Sequence, residues 1–127
     1  MATLIARLVS PSEPVEIVIR PEDLTEADAG QTLTFTCVAY GVPLPTISWS
    51  QGGVIITNDT DTRVTIYNEE IEERGLVFYQ SILEICSAEL TDSGVYSCSA
   101  DNGISNDSVS FEIRVEGKSV LDNVVVM

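Results

Sequence analysis

Histidine is absent from this 127-residue chain, and basic side chains are scarce: six Lys and Arg stand against 20 Asp and Glu, a formal net charge of −14 at pH 7. Without an imidazole there is neither a histidine-based catalytic triad nor a histidine-ligated metal. So acidic a balance repels phosphate backbones and anionic lipid, which disfavours nucleic acid and membrane surfaces as partners. It keeps the chain in solution and suits a basic partner. No apolar run approaches the roughly 18 residues that cross a bilayer, so no direct membrane insertion is expected of this segment. Residues 3–9 are apolar but short and lack a cleavage-site pattern, so they do not read as a signal peptide; in a secreted parent that signal would lie elsewhere. A glycine-rich phosphate loop is missing. Paired carboxylates occur only as neighbours in expected loops, and Asp59 with Asp61 supplies too few ligands for calcium. The expectation is therefore no enzyme, no cofactor and no metal.

What remains is apolar and strand-forming. Hydrophobic residues make up 44% of the chain, enough for one domain with one core. Short runs of alternating polarity are divided by turn signals, with no helical period. Residues 15–19 read as a first strand stopped by Pro21, and 27–31 as a turn. Leu33, Phe35 and Cys37 alternate with threonines in a second strand. The stretch 41–45, with two prolines, is a bend; strand resumes at 46–49, where Ile47 and Trp49 share a face. A short strand at 54–56 precedes a polar loop at 58–62 and a strand at 64–67. Residues 68–75 read as an acidic connecting loop, and 77–85 as a long strand with Leu83 and Ile85 inward. A corner at 90–94, a strand at 95–100, a hairpin signal at Asn102-Gly103 and a last alternating strand through Val115 complete the series. Residues 1–13 are expected to be a linker or extension, 14–116 the domain, and 117–127 a tail or the start of the next segment. That tail ends in the apolar run 124–127.

Four motifs recur in order: Cys37; Gly-x-Pro-x-Pro-x-Ile-x-Trp from Gly41 to Trp49; Leu83-x-Ile85; and Leu90-x-Asp92-x-Gly94-x-Tyr96-x-Cys98. Together they resemble the immunoglobulin superfamily, most closely its intermediate (I) set, over roughly residues 14–116. The resemblance implies an all-β, two-sheet antiparallel sandwich of Greek-key topology. It implies a Cys37–Cys98 disulfide with Trp49 packed against it, which would stabilise the fold by about 4 kcal/mol for a loop of this length. Tyr96 would form a tyrosine corner, Asp92 would pair with Arg63, and Leu90 would belong to the same structural set.

Cys86 is left over. Alternation turns it outward at the end of its strand, where it reads as a free thiol; a link to another chain or another domain, or pairing with Cys37 or Cys98, are the other readings. Two N-glycosylation sequons, Asn58-Asp59-Thr60 and Asn106-Asp107-Ser108, fall in expected loops. Glu69, Glu70, Glu72 and Glu73 in the acidic segment are candidates for contact with a basic partner, or simply a solvated connection. The functional expectation is a non-catalytic module of a larger cell-surface receptor or adhesion protein that binds another protein, placed outside the cell. The alternative is a mechanical I-set module of an intracellular cytoskeletal or sarcomeric protein. Self-association through an edge strand or the termini is a third expectation.

Overall fold

The computed structural model describes residues 11–117. The expectations for 1–10 and 118–127, including the apolar run at 124–127, lie outside the described residues. Nine strands follow one another: β1 (Glu13–Ile19), β2 (Leu24–Asp28), β3 (Leu33–Val42), β4 (Thr46–Gln51), β5 (Val54–Ile56), β6 (Val64–Glu73), β7 (Leu76–Ile85), β8 (Gly94–Asp101) and β9 (Asn106–Glu116). Among the described residues one 3₁₀ turn, Leu90–Asp92, interrupts them. They form two sheets, one in the order β1-β3-β7-β6 and the other β2-β9-β8-β4-β5.

Alternation does the local work. Leu33, Phe35, Cys37 and Ala39 of β3 face Leu83 and Ile85 of β7 and, across the interior, Trp49, Tyr96, Cys98 and Ile113 of the other sheet. Phe111 is the aromatic centre: its ring lies 5.0 Å from Phe35, 5.7 Å from Tyr96 and, edge-on, 6.0 Å from Trp49.

Three expectations need correction. Residues 27–31 are not simply a turn. Leu24–Asp28 is strand β2, running parallel to β9 with Ala27 opposite Val115, and only the final strand of the chain supplies that partner. The acidic segment 68–75 is not a loop. β6 continues to Glu73 in unbroken register with β7, and a two-residue turn at Arg74 and Gly75 closes the hairpin. Both turn residues have positive φ, +54° and +82°, the conformation of a tight hairpin turn that matches strand twist. Ile71 opposite Phe78 and Tyr67 opposite Ile82 give this stretch the cross-strand pairs that hold it extended. Asn106, expected in a loop, begins β9 opposite Asp101.

Candidate protein-interaction surface

A rigid frame underlies the surface. Cys37 and Cys98 are joined in a disulfide across the sheets, both fully buried. The indole N–H of Trp49 donates to Ser81 Oγ at 2.8 Å in the interior. The Tyr96 hydroxyl donates to the Asp92 carbonyl at 2.6 Å, and burial of the ring pushes its phenol up to about 12. Arg63 holds Asp92 with two hydrogen bonds, Nη1 to Oδ2 at 2.9 Å and Nη2 to Oδ1 at 3.1 Å, and also reaches the Ser87 carbonyl and Asp61. The Arg63 backbone N–H, and then its side chain, lower the Asp61 carboxyl below its ordinary range.

Leu90 departs from this set. It opens the 3₁₀ turn with its side chain 56% exposed, because that turn directs Asp92 inward; Ala88, 2% exposed, occupies the core beneath it. Ser81 is the structural residue that sequence reasoning missed, whereas Phe111 falls in the alternation of the last strand. A serine within a strand carries no signal that it will meet the tryptophan of another sheet.

The two outer faces differ in chemistry. On the five-stranded sheet, cross-strand pairing brings together Ser48 with Ser99, Ser50 with Ser97, Ser97 with Ser110 and Ser99 with Ser108. The hydroxyls of the last two pairs lie 3.4 and 2.9 Å apart. This is the solvated face expected of an antiparallel sheet, with Ile55 and Val95 exposed towards one end of it. The four-stranded sheet instead turns Val38, Tyr40, Phe78, Ile71, Ile82 and Tyr67 outward, with Tyr40 and Phe78 in ring contact at 5.6 Å. Val38 is 6% exposed yet stands apart from the inter-sheet core. It floors an open hollow of about 340 Å³ whose walls include Val18, Ile19, Ile71, Phe78 and Glu73.

The edges are handled unequally. On β1, the N–H groups of Val15 and Ile17 are taken by Ser105 Oγ at 2.8 Å and Asp107 Oδ2 at 2.9 Å. On β6, Val64 N–H donates to the Asp61 carbonyl and Ile66 N–H to Asn58 Oδ1 at 2.6 Å. Asn58 thus caps a strand edge from an exposed turn, while Asn106 stands at the head of a paired strand. Among the described residues, the outward main-chain groups further along β6 carry only charge as protection, from Glu69, Glu70, Glu72 and Glu73, all exposed. Cys86 directly follows β7 as a half-buried free thiol, its N–H bonded to the Arg63 carbonyl. Among the described residues no group of three or more Asp, Glu or Cys side chains is gathered as a metal site would need.

A family model described as "Immunoglobulin domain" matches residues 14–102. Among curated proteins, the chain is 37% identical over 89 residues to the basement membrane-specific heparan sulfate proteoglycan core protein of Mus musculus. That match covers 70% of this chain and 2% of that protein. It is 31% identical over 99 residues to Brother of CDO of Homo sapiens, covering 78% of this chain and 7% of that protein. The chain therefore spans only a small part of the curated relatives it matches. Among solved structures, the Ig1-2 module of the Drosophila receptor protein tyrosine phosphatase DLAR superposes with a TM-score of 0.68 at 28% identity, over 84% of this chain and 51% of that one. Titin domain M7 superposes with a TM-score of 0.65 at 25% identity, over 85% and 99%.

Proposed function

This chain belongs to the immunoglobulin domain family, and from that premise we propose that it is a non-catalytic recognition module of a larger cell-surface receptor or adhesion protein, binding another protein. The module comprises residues 14–116 together with Glu13, which opens β1 opposite Val42, and the flanking residues connect it to the parent. The observation that carries the reading is the apolar outer face that the four-stranded sheet leaves open among the described residues of an acidic domain: exposed apolar patches rimmed by polar groups mark interaction sites. A buried disulfide between the sheets fits an oxidising, extracellular setting. The relative named for the basement membrane supports the same placement. A chain without histidine has little means of acid–base chemistry near neutral pH, which supports a binding role.

Multimerised chain, applied to cells that each display one ectodomain from a broad panel, is expected to bind a subset saturably. Binding to none would overturn the proposal. The likeness to titin domain M7 favours a second reading, a mechanical module of an intracellular cytoskeletal protein. Native material decides between them: an oxidised Cys37–Cys98 pair, or sugar on Asn58 or Asn106, selects the extracellular reading, and two reduced thiols select the other.

A further inference from the structure

We infer that the outer face of the β1-β3-β7-β6 sheet is the docking surface, and that its occupant is a partner-protein segment with an apolar anchor flanked by lysine or arginine. This rests on the recognition-module reading and adds to it the face used and the chemistry of the partner.

The contrast between the two faces selects the site. Serine pairs run down the centre of one face and hydrate readily, and the apolar side chains there, Ile55 and Val95, stand singly towards one end. On the other, Val18 and Ile19 are 45% and 53% exposed beside Val38, Ile71 and Phe78. An apolar hollow with a closely packed floor receives a side chain; a bare apolar face is otherwise a liability.

Charge selects the occupant. β1, β3, β6 and β7 contain no lysine or arginine between them, while β1 contributes Glu16, β6 the Glu69, Glu70, Glu72 and Glu73 set, and β7 Glu84. Glu16 lies opposite Tyr40 and Glu69 opposite Gln80, so carboxylates stand on both sides of the hollow, with Glu73 in its wall. The cations adjoining these strands lie at their ends: Arg20 after β1 is paired with Asp23, Arg63 before β6 is paired with Asp92, and Arg74 sits at the hairpin turn. A second copy of this chain would set the same carboxylates against one another, which like-charge repulsion penalises. A basic-apolar segment neutralises the rim while filling the hollow.

The test uses the full 127-residue chain and a synthetic probe, Lys-Leu-Lys-Leu-Lys-Leu-Lys, followed by amide chemical shifts. The expected shifts fall on Val18, Val38, Ile71 and Phe78. Ile71→Ser is expected to weaken binding about 10-fold or more. Glu69→Gln with Glu73→Gln is expected to weaken it about 3- to 10-fold and flatten its salt dependence. Ser99→Glu, on the opposite face, leaves it unchanged. The glutamine pair keeps the test decisive if Ile71→Ser disturbs folding. Equal binding of a Lys-Ser probe, shifts on the serine face, or no binding overturns the inference. So does a dimer abolished by Ile71→Ser, or tenfold tighter binding after removal of residues 1–10, which would make a second copy or this chain's own leading segment the occupant. If an ectodomain partner is found whose binding ignores Ile71→Ser, the recognition reading survives and this inference falls. If neither panel nor probe binds, both fall.

Discussion

Trp49 and Ser81 belong to different sheets, and a 2.8 Å hydrogen bond from the indole nitrogen to the serine hydroxyl joins them inside the core. Tryptophan is a large apolar side chain with one donor, and a buried donor without an acceptor costs more than its hydrogen bond contributes. Ser81, fully buried on β7, supplies that acceptor where an aliphatic residue would otherwise be expected. Ser81→Ala is therefore expected to lower the unfolding free energy by about 1–3 kcal/mol. Denaturant titration checks it: the midpoint moves while the slope stays constant.

Arg63 ties the start of β6 to the corner before β8. Its guanidinium holds both Asp92 oxygens and the Ser87 carbonyl, and Asp92 is nearly buried. Removing the cation strands a carboxylate in that corner. Arg63→Ala is expected to destabilise by about 2–4 kcal/mol, and Arg63→Lys to recover only part, since an ammonium cannot make the planar two-point contact. Thermal unfolding of both variants measures the difference.

Tyr96 predicts the alkaline limit. Burial raises its phenol from 10.0 to about 12 in the fold. Because the folded value is the higher one, the neutral phenol stabilises the fold fully below about pH 10, and that contribution is lost as pH rises through 12. Two units correspond to about 3 kcal/mol. Ultraviolet titration should show one phenol ionising only with unfolding, and Tyr96→Phe should remove that step.

The β6–β7 turn places Arg74, a residue with a Cβ, at φ +54°. Glycine or asparagine occupies that conformation with less strain. Arg74→Gly is expected to stabilise by about 0.5–1 kcal/mol, read as a rise in melting temperature.

The two sequons differ in context. Asn58 lies in an exposed turn with Oδ1 held by Ile66 N–H, and no hydrogen bond among the described residues engages its Nδ2, the atom a glycan takes. Asn106 is also exposed, but its main chain is committed to a strand pair with Asp101. Expressed through a secretory pathway, the chain is expected to gain a glycan at Asn58. Asn58→Gln should abolish the mass increase, and Asn106→Gln should leave it.

Alternation and spacing in the sequence determined most of the strands, because inward apolar residues at every second position and turn residues between them are local signals. Leu33 to Cys37, Ile47 with Trp49, and Leu83 with Ile85 were legible for that reason. Cys37, the Gly41–Trp49 stretch, Leu83 with Ile85 and the motif ending at Cys98 together carried the family resemblance, and with it the class of function. Tertiary structure alone decided three things. It made strands of β2 and the acidic half of β6, because their partners lie across the chain or beyond a turn that lacks the usual asparagine or glycine signal at its first position. It turned Leu90 outward and assigned Ser81 to Trp49, because side-chain surroundings come from other elements. It also separated a serine face from an apolar one. Each strand's outward residues are unremarkable alone, and only strand order brings Val38, Ile71 and Phe78 into one surface.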